Sequence, residues 1–204
     1  LSIRRQRQMC IRDRPKAALW YRKALFIADS LQLPKVQNAS LYMGLGRIYL
    51  LLEDFEASLN CYQQTEKSFS DLSLNLQAYF LNNYGNYYYY TKDYQTSLKK
   101  FLMLKKLLEK HDKRETFSMY LCKLNLADVY LNLNQLDLSD KCLDEVEDYM
   151  RKNGDETAIY YCNTIRIGQA VKKKDWNTVA RILAGEKSND QLDFSLLQIR
   201  HQYL

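Results

Sequence analysis

The chain has 204 residues, with 30 lysines and arginines against 24 aspartates and glutamates, a formal net charge of +6 and a pI near 8.9. Two prolines, Pro15 and Pro34, and six glycines leave few turn-formers, so helices are expected to dominate. No apolar run reaches the roughly 18 residues that a membrane span needs, which excludes a bilayer-crossing segment within this sequence. No signal-peptide pattern stands at the start, although a chain lacking its true start would show none.

The first stretch, "RRQRQMCIRDR" at residues 4–14, carries five arginines against Asp13 alone, so the rest of the chain holds only +2. Arg4 to Asp13 resembles the reading-frame translation of a transposon-end adaptor used to tag DNA libraries. A native basic arm is the competing reading, but an agreement over ten consecutive residues favours the adaptor. Residues 1–14 are therefore set aside as non-native, either disordered or extending the first helix. Cys10 and the nucleic-acid reading go with them, because +2 spread over the remainder is no footprint for phosphate. The elements predicted after it are helices near 15–32, 35–52, 54–69, 72–91, 93–110, 114–132, 136–152, 156–173, 176–185 and 191–204.

Three stretches coincide when the chain is laid against itself: "LYMGLGRIYLLLEDFEASLNCY" from Leu41, "FLNNYGNYYYYTKDYQTSLKKF" from Phe80 and "CKLNLADVYLNLNQLDLSDKCL" from Cys122. A small residue is followed at three positions by tyrosine, as Gly46 and Tyr49, Gly85 and Tyr88, Ala127 and Tyr130. Nine positions after it comes Phe55, Tyr94 or Leu136, and twelve after it Ser58, Ser97 or Ser139. A fainter copy runs through Ile167, Ala170, Trp176 and Val179. An incomplete one, Ala17, Tyr21 and Ala24, precedes them all.

These positions resemble the tetratricopeptide repeat family over nearly all of the chain from Pro15 onward. The family places a small residue at position eight, tyrosine at eleven, a small residue at twenty and an aromatic at twenty-four. Gly46, Tyr49, Ser58 and Tyr62 match it, as do Gly85, Tyr88, Ser97 and Phe101, and Ala127, Tyr130, Ser139 and Leu143 depart once. The resemblance implies an all-α, right-handed α-solenoid of antiparallel helix pairs with a concave groove. Here it would be four to five repeats over 15–204, truncated at both ends. The period of about 40 residues exceeds the family's usual 34 and approaches HEAT and armadillo units. The fixed offset of twelve within each unit favours lengthened tetratricopeptide repeats, with the additional residues at the junctions between units.

Gly46 and Gly85 interrupt strongly helical runs at a cost of about 1 kcal/mol each relative to alanine, so a close approach to the small Ser58 and Ser97 is expected to compensate. Asp54, Asp93 and Asp175 stand where an N-cap is needed. Phe55, Tyr94 and Trp176 are then expected at the first helical position, folding inward.

In the tyrosine-rich "YGNYYYYTKDY", Tyr84 and Tyr88 share a packing face, whereas Tyr89 and Tyr90 must turn away. The resemblance puts groove residues at Tyr79, Asn82, Asn86, Tyr89 and Tyr90, at Met43, Arg47, Leu50 and Leu51, and at Leu121, Leu124, Asp128, Leu131 and Asn132. An amide pair at i and i+4 between tyrosines can grip a peptide backbone while the rings cover its apolar side chains. Solvated helix face is the plainer reading of any one of them. The leucines mean either an apolar groove or packing between repeats. The lysine and asparagine that hold a chaperone's terminal carboxylate in one subset of the family are not matched by Met43 with Arg47 or Asn82 with Asn86.

"VKKKDW" at 171–176 and "DEVED" at 144–148 read as solvated helix faces. Cys61, Cys122, Cys142 and Cys162 form no CxxC pair and read as buried thiols. His111 and His201 stand alone, and neither a phosphate loop nor a nucleophile elbow is found. The reading is a protein- or peptide-binding scaffold with no catalytic, metal or cofactor site and no nucleic-acid or membrane partner through this segment. The alternative is the sensory input region of a bacterial histidine kinase or transcriptional regulator, which "AIYYCNTIRIGQAVKKKDW" resembles. A freestanding scaffold would suit the cytoplasm and a membrane-bound sensor the periplasm. Oligomeric state is not legible.

Overall fold

The computed structural model describes residues 2–113, 116–153 and 156–185, and all regular structure among them is helical. The helices are α1 Ser2–Ser30, α2 Lys35–Leu51, α3 Phe55–Glu66, α4 Leu74–Tyr90, α5 Tyr94–Lys110, α6 Phe117–Asn132, α7 Leu136–Asn153, α8 Glu156–Lys173 and α9 Trp176–Gly185. The fold is all-α and of the α-solenoid class, with neighbouring helices paired along the chain. The expected helix at 191–204 lies outside the described residues.

The chain forms two units, one ending at Lys110 and the other starting at His111. In the first, α1 packs on α2, α2 on α3 and α4 on α5; in the second, α6 packs on α7 and α8 on both α7 and α9.

The offset of twelve residues is a hydrogen bond. Ser58 Oγ donates to the carbonyl of Gly46 at 2.8 Å, Ser97 Oγ to that of Gly85 at 2.9 Å and Ser139 Oγ to that of Ala127 at 2.7 Å. All three serines are fully buried, so each bond satisfies a hydroxyl that would otherwise cost about 1–3 kcal/mol to bury. The bond reaches a helical carbonyl only if the facing backbone is close, which is what a small residue permits.

Each tight turn is fixed at a second place. Glu53, Lys92, Asn134 and Lys174 all adopt positive φ, between 57° and 63°, seven residues after the small position. The amides that follow turn back onto the helix end, Asp54 to the Tyr49 carbonyl, Gln135 to Tyr130 and Asp175 to Ala170, the geometry that closes a helix C-terminus. Asp54, Asp93 and Asp175 then accept from the amides of Ala57, Thr96 and Thr178, each at 3.1 Å, capping the next helix as expected.

Some expectations need correction. Phe55, Tyr94 and Trp176 do take the first helical position, but Phe55 and Trp176 are exposed and Tyr94 is only half-buried. At the start of a helix the Cα–Cβ bond leans back over the turn, away from the pair's interior. Pro15 does not begin α1 but sits inside it. The additional residues lie partly in a 3-10 turn, Phe69–Asp71, and partly in longer second helices, with 12 residues in α3 but 17 in α5 and 18 in α7.

Candidate peptide-binding face

Groove positions in the first unit lie on α2 and α4. The alternation along α4 follows from its run of aromatics, which cannot all face one core. Tyr84 and Tyr87 are buried; the Tyr84 ring stacks on Tyr62 at 5.3 Å between centroids and the Tyr87 ring meets it edge-on at 5.9 Å. Tyr88 donates its hydroxyl to Tyr84 at 3.1 Å, so Tyr84 and Tyr88 do pack together. Burial, then the contact with Tyr88, pushes the Tyr84 phenol well above its usual range. Lys100 lies 4.3 Å over the Tyr84 ring and pairs with Glu66 at 2.9 Å.

Tyr90 is 59% exposed and Tyr79 is also exposed, while Asn82, Asn86 and Tyr89 are half-buried. The Tyr89 ring is edge-on to Tyr90 at 5.8 Å and to Tyr94 at 5.6 Å. Tyr79 lies eleven residues before Tyr90, which ends α4, about 16 Å away along the helix axis, so one small ligand group cannot touch both. On α2, Arg47 and Leu51 are exposed, whereas Met43 is fully buried and cannot line a groove. That corrects its assignment: position five of this lengthened unit turns into the core.

What the structure does bring together is a cleft of about 280 Å³ lined by Leu50, Leu51, Glu53, Phe55 and Tyr90. It opens where α2 ends, α3 begins and α4 ends. Leu51 and Phe55 are 39% and 38% exposed, so its walls are accessible apolar surface with one carboxylate at the rim. Glu53 and Phe55 are the lining residues that sequence reasoning did not place here: Phe55 was expected to fold inward, and its position at the head of α3, directly after the Asp54 cap, is the signal that could have put it at the helix end. Arg14 Nη1 donates to the Leu51 carbonyl at 2.9 Å, tying α1 to this end of α2.

In the second unit the leucines answer the question left open by the sequence. Leu124 and Leu131 are buried in the core cluster with Leu143, Val146, Cys162 and Ile165; they pack between helix pairs and line no groove. Leu121 is half-buried. Asp128, half-buried, accepts from Asn132 Nδ2 through its carbonyl at 2.9 Å and its carboxylate at 3.4 Å, an internal contact on α6.

The acidic run is more engaged than a solvated face would be. Arg166 on α8 bonds Glu147 at 2.6 Å and Asp144 at 2.8 Å, and Glu145 pairs with Lys123 at 2.7 Å. Burial opposes the Arg166 charge, but the bonds from Glu147 and Asp144 outweigh it and raise its pKa further. Lys172 donates to the Leu131 carbonyl at 2.7 Å, while Lys172, Lys173 and Lys174 are all exposed, as a solvated helix face requires. Gln169 donates to Ser139 Oγ at 2.9 Å, linking α8 to the serine that bridges α6 and α7.

Of the four cysteines after residue 14, Cys61, Cys122 and Cys162 are buried and Cys142 is half-buried. Burial, then Asp54, pushes the Cys61 thiol up to about 11, and burial, then Glu147, pushes Cys162 up to about 12. Neither is a nucleophile near neutral pH. His111 is exposed in the turn after α5; His201 lies outside the described residues. Among the described residues no three His, Cys, Asp or Glu side chains gather as metal ligands would, and no helix is long and apolar enough to cross a membrane.

No protein-family model matches this chain, and no curated protein is similar to it. Among solved structures it is similar to the crystal structure of BtubC (BKLC) from P. vanneervenii, with a TM-score of 0.65 at 12% identity, covering 88% of this chain and 73% of that one. At that identity the likeness is one of fold.

Proposed function

We propose that this chain is a tetratricopeptide-type scaffold that binds a peptide or protein segment through the first-helix face of its first unit. The serine-to-carbonyl bonds at an offset of twelve, recurring with the small residues at position eight, support the family reading. The function rests on one observation: Leu51, Phe55 and Tyr90 converge, exposed, around an apolar cleft.

Burying one leucine-sized side chain there is worth about 1.5–3 kcal/mol. Bonds from the Asn82 and Asn86 amides to a peptide backbone add about 0.5–1.5 kcal/mol each, which brings the sum to roughly 3–6 kcal/mol and the affinity of this minimal contact near millimolar. Preformed helices lose little ordering entropy on binding.

The test is selection from a displayed peptide library followed by affinity measurement. Binders are expected to carry an aliphatic or aromatic anchor and to lose at least tenfold in affinity with Leu51→Ser/Tyr90→Ser. Both side chains are exposed, so folding is retained. Tyr161→Ser, an exposed change in the second unit, leaves binding as it was. Failure to select any binder, or binders indifferent to the double change, overturns the reading.

A further inference from the structure

Positive charge is not spread evenly over the first unit. Between Pro15 and Asp93 seven lysines and arginines meet seven aspartates and glutamates, whereas α5 carries five lysines against Glu109 alone. The surplus of residues 15–110 therefore belongs to one helix.

Two of the five lysines are engaged within the protein. Lys100 pairs with Glu66 at 2.9 Å and lies over the Tyr84 ring, and Lys105 stands 3.9 Å from Glu109. Lys99, Lys106 and Lys110 are exposed, and among the described residues no carboxylate pairs with any of them. At about 100° per residue these three and Met103 fall within about 60° of one another, with Leu102 at the edge. The buried Ser97, Phe101, Leu104 and Leu108 lie on the opposite side. Leu102 is 42% and Met103 49% exposed, so two aliphatic side chains stand among lysines in a stripe about 16 Å long.

The helix pair itself does not require this stripe. Counting from the bridging serines Ser58 and Ser97, Lys99, Leu102 and Met103 stand where α3 has Asn60, Gln63 and Gln64. Polar, uncharged residues of that kind are what a solvated outer face ordinarily holds. Helix α5 has replaced them with cations and apolar surface together.

We propose that the outer stripe of α5 rests on an anionic lipid surface. Lysine stems lie along apolar neighbours while the ammonium heads stay among the phosphates, so Leu102 and Met103 enter the headgroup boundary without drawing a charge below it. Every cation of α5 is a lysine. A mobile point charge matches a diffuse layer of phosphates, whereas the fixed fork of arginine matches a single carboxylate. A folded acidic partner fits less well, because one exposed helix face offers no pocket for an anchor and specific interfaces begin near about 1,000 Å². Fluid headgroups conform to the helix and need no complementary shape. Such docking is distinct from a span, for which no described helix is long and apolar enough.

The experiment is co-sedimentation of the full chain with vesicles of phosphatidylcholine alone or with about one-third phosphatidylserine, at low and high salt. Capture is expected with the anionic vesicles alone and weakens as salt is raised. Each lysine at such a surface is worth roughly a factor of five, so Lys99→Gln/Lys106→Gln/Lys110→Gln loses about a hundredfold in partitioning and Leu102→Ser/Met103→Ser at least about fivefold. Helical circular dichroism stays unchanged, because all five side chains are exposed. Arg4→Gln/Arg5→Gln/Arg7→Gln separates the stretch before Pro15 from α5 and loses less than the lysine triple. Equal capture by both kinds of vesicle, capture by neither, or capture indifferent to the lysine triple overturns the proposal. So does a greater loss from the arginine triple, or binding to soluble polyglutamate as tight as to the vesicles, which is what an acidic protein partner predicts.

Discussion

Gly85→Ala isolates the close approach of α4 to α5. A Cβ at Gly85 would lie 2.7 and 2.8 Å from Cε1 and Cζ of Phe101 and 3.0 Å from Cδ1, and that ring is fully buried, so it has nowhere to retreat. At Gly46 the same methyl meets Cys61 Cβ at 3.1 Å and the Tyr62 ring at 3.2 Å and beyond, a conflict that a shift of a few tenths of an ångström relieves. Alanine gains about 1 kcal/mol of helix propensity at either site, against roughly 1–3 kcal/mol for overpacking. With the Phe101 ring unable to move, the upper half of that range, about 2–3 kcal/mol, applies at Gly85 and its lower end at Gly46, so the balance is a loss of about 1–2 kcal/mol for Gly85→Ala and near zero for Gly46→Ala. For a chain of this size that corresponds to a fall of roughly 3–6 °C in Tm for the first variant and little change for the second. Circular dichroism melts of both variants measure it. The third pair supplies the rescue, since Ala127 faces Leu143 there: Phe101→Leu in the Gly85→Ala background should recover about 1 kcal/mol of coupling in a double-mutant cycle. A Gly85→Ala protein as stable as the parent, or additive changes in the cycle, would refute the close-packing account.

The left-handed turn residues make a second test: Lys92→Gly removes the steric cost of φ 63° and should stabilise by about 1 kcal/mol, with Asn134→Gly gaining less because asparagine tolerates that region; equal or negative changes in Tm count against the turn geometry. The buried thiols and phenols set an alkaline limit. Their pKa values are raised by folding, so their contribution is intact below the ordinary thiol value of 9.0 and is lost as pH rises through it toward about 11 for Cys61 and about 12 for Cys162. Unfolding midpoints should therefore decline above pH 9. Mass-spectrometric mapping after brief alkylation at pH 8 should find Cys142 modified ahead of Cys61, Cys122 and Cys162; rapid labelling of Cys162 would contradict its burial.

Much of the pairing was legible because it is local. The bond from Ser58 to Gly46 and the cap on Asp54 lie within about twelve residues of one another, and each demands a particular kind of side chain; the positive φ at Glu53 recurs at Lys92, Asn134 and Lys174 and carries no such signature. The placement of groove residues was less legible. Met43 and Arg47 are four residues apart on one helix and read alike by period, yet one is fully buried and the other exposed. Which face meets the neighbouring pair depends on the length of α3 and of the turn after it, which no periodicity within α2 records. The same holds for Leu131, whose burial is decided by contact with α8. The acidic run at 144–148 read as solvated because its partners Lys123 and Arg166 lie 22 residues away on either side in sequence.

The two kinds of contact differ in what they allow to vary. A serine hydroxyl needs a carbonyl near 2.8 Å, so the small residue, the serine and the large side chain four positions later are constrained together: Gly46 with Ser58 and Tyr62, Gly85 with Ser97 and Phe101, Ala127 with Ser139 and Leu143. Contacts beyond the pair carry no such rule, and they are aromatic in the first unit, around Tyr62 and Tyr84, but aliphatic and ionic in the second, around Leu131 and Arg166. A face assembled from positions outside the rule is free to change its chemistry without loosening the helix pair beneath it. That freedom is why Leu51, Phe55 and Tyr90 can remain exposed and apolar at little cost to the fold, and why the cleft they line is the better place to seek a ligand than the buried bridge.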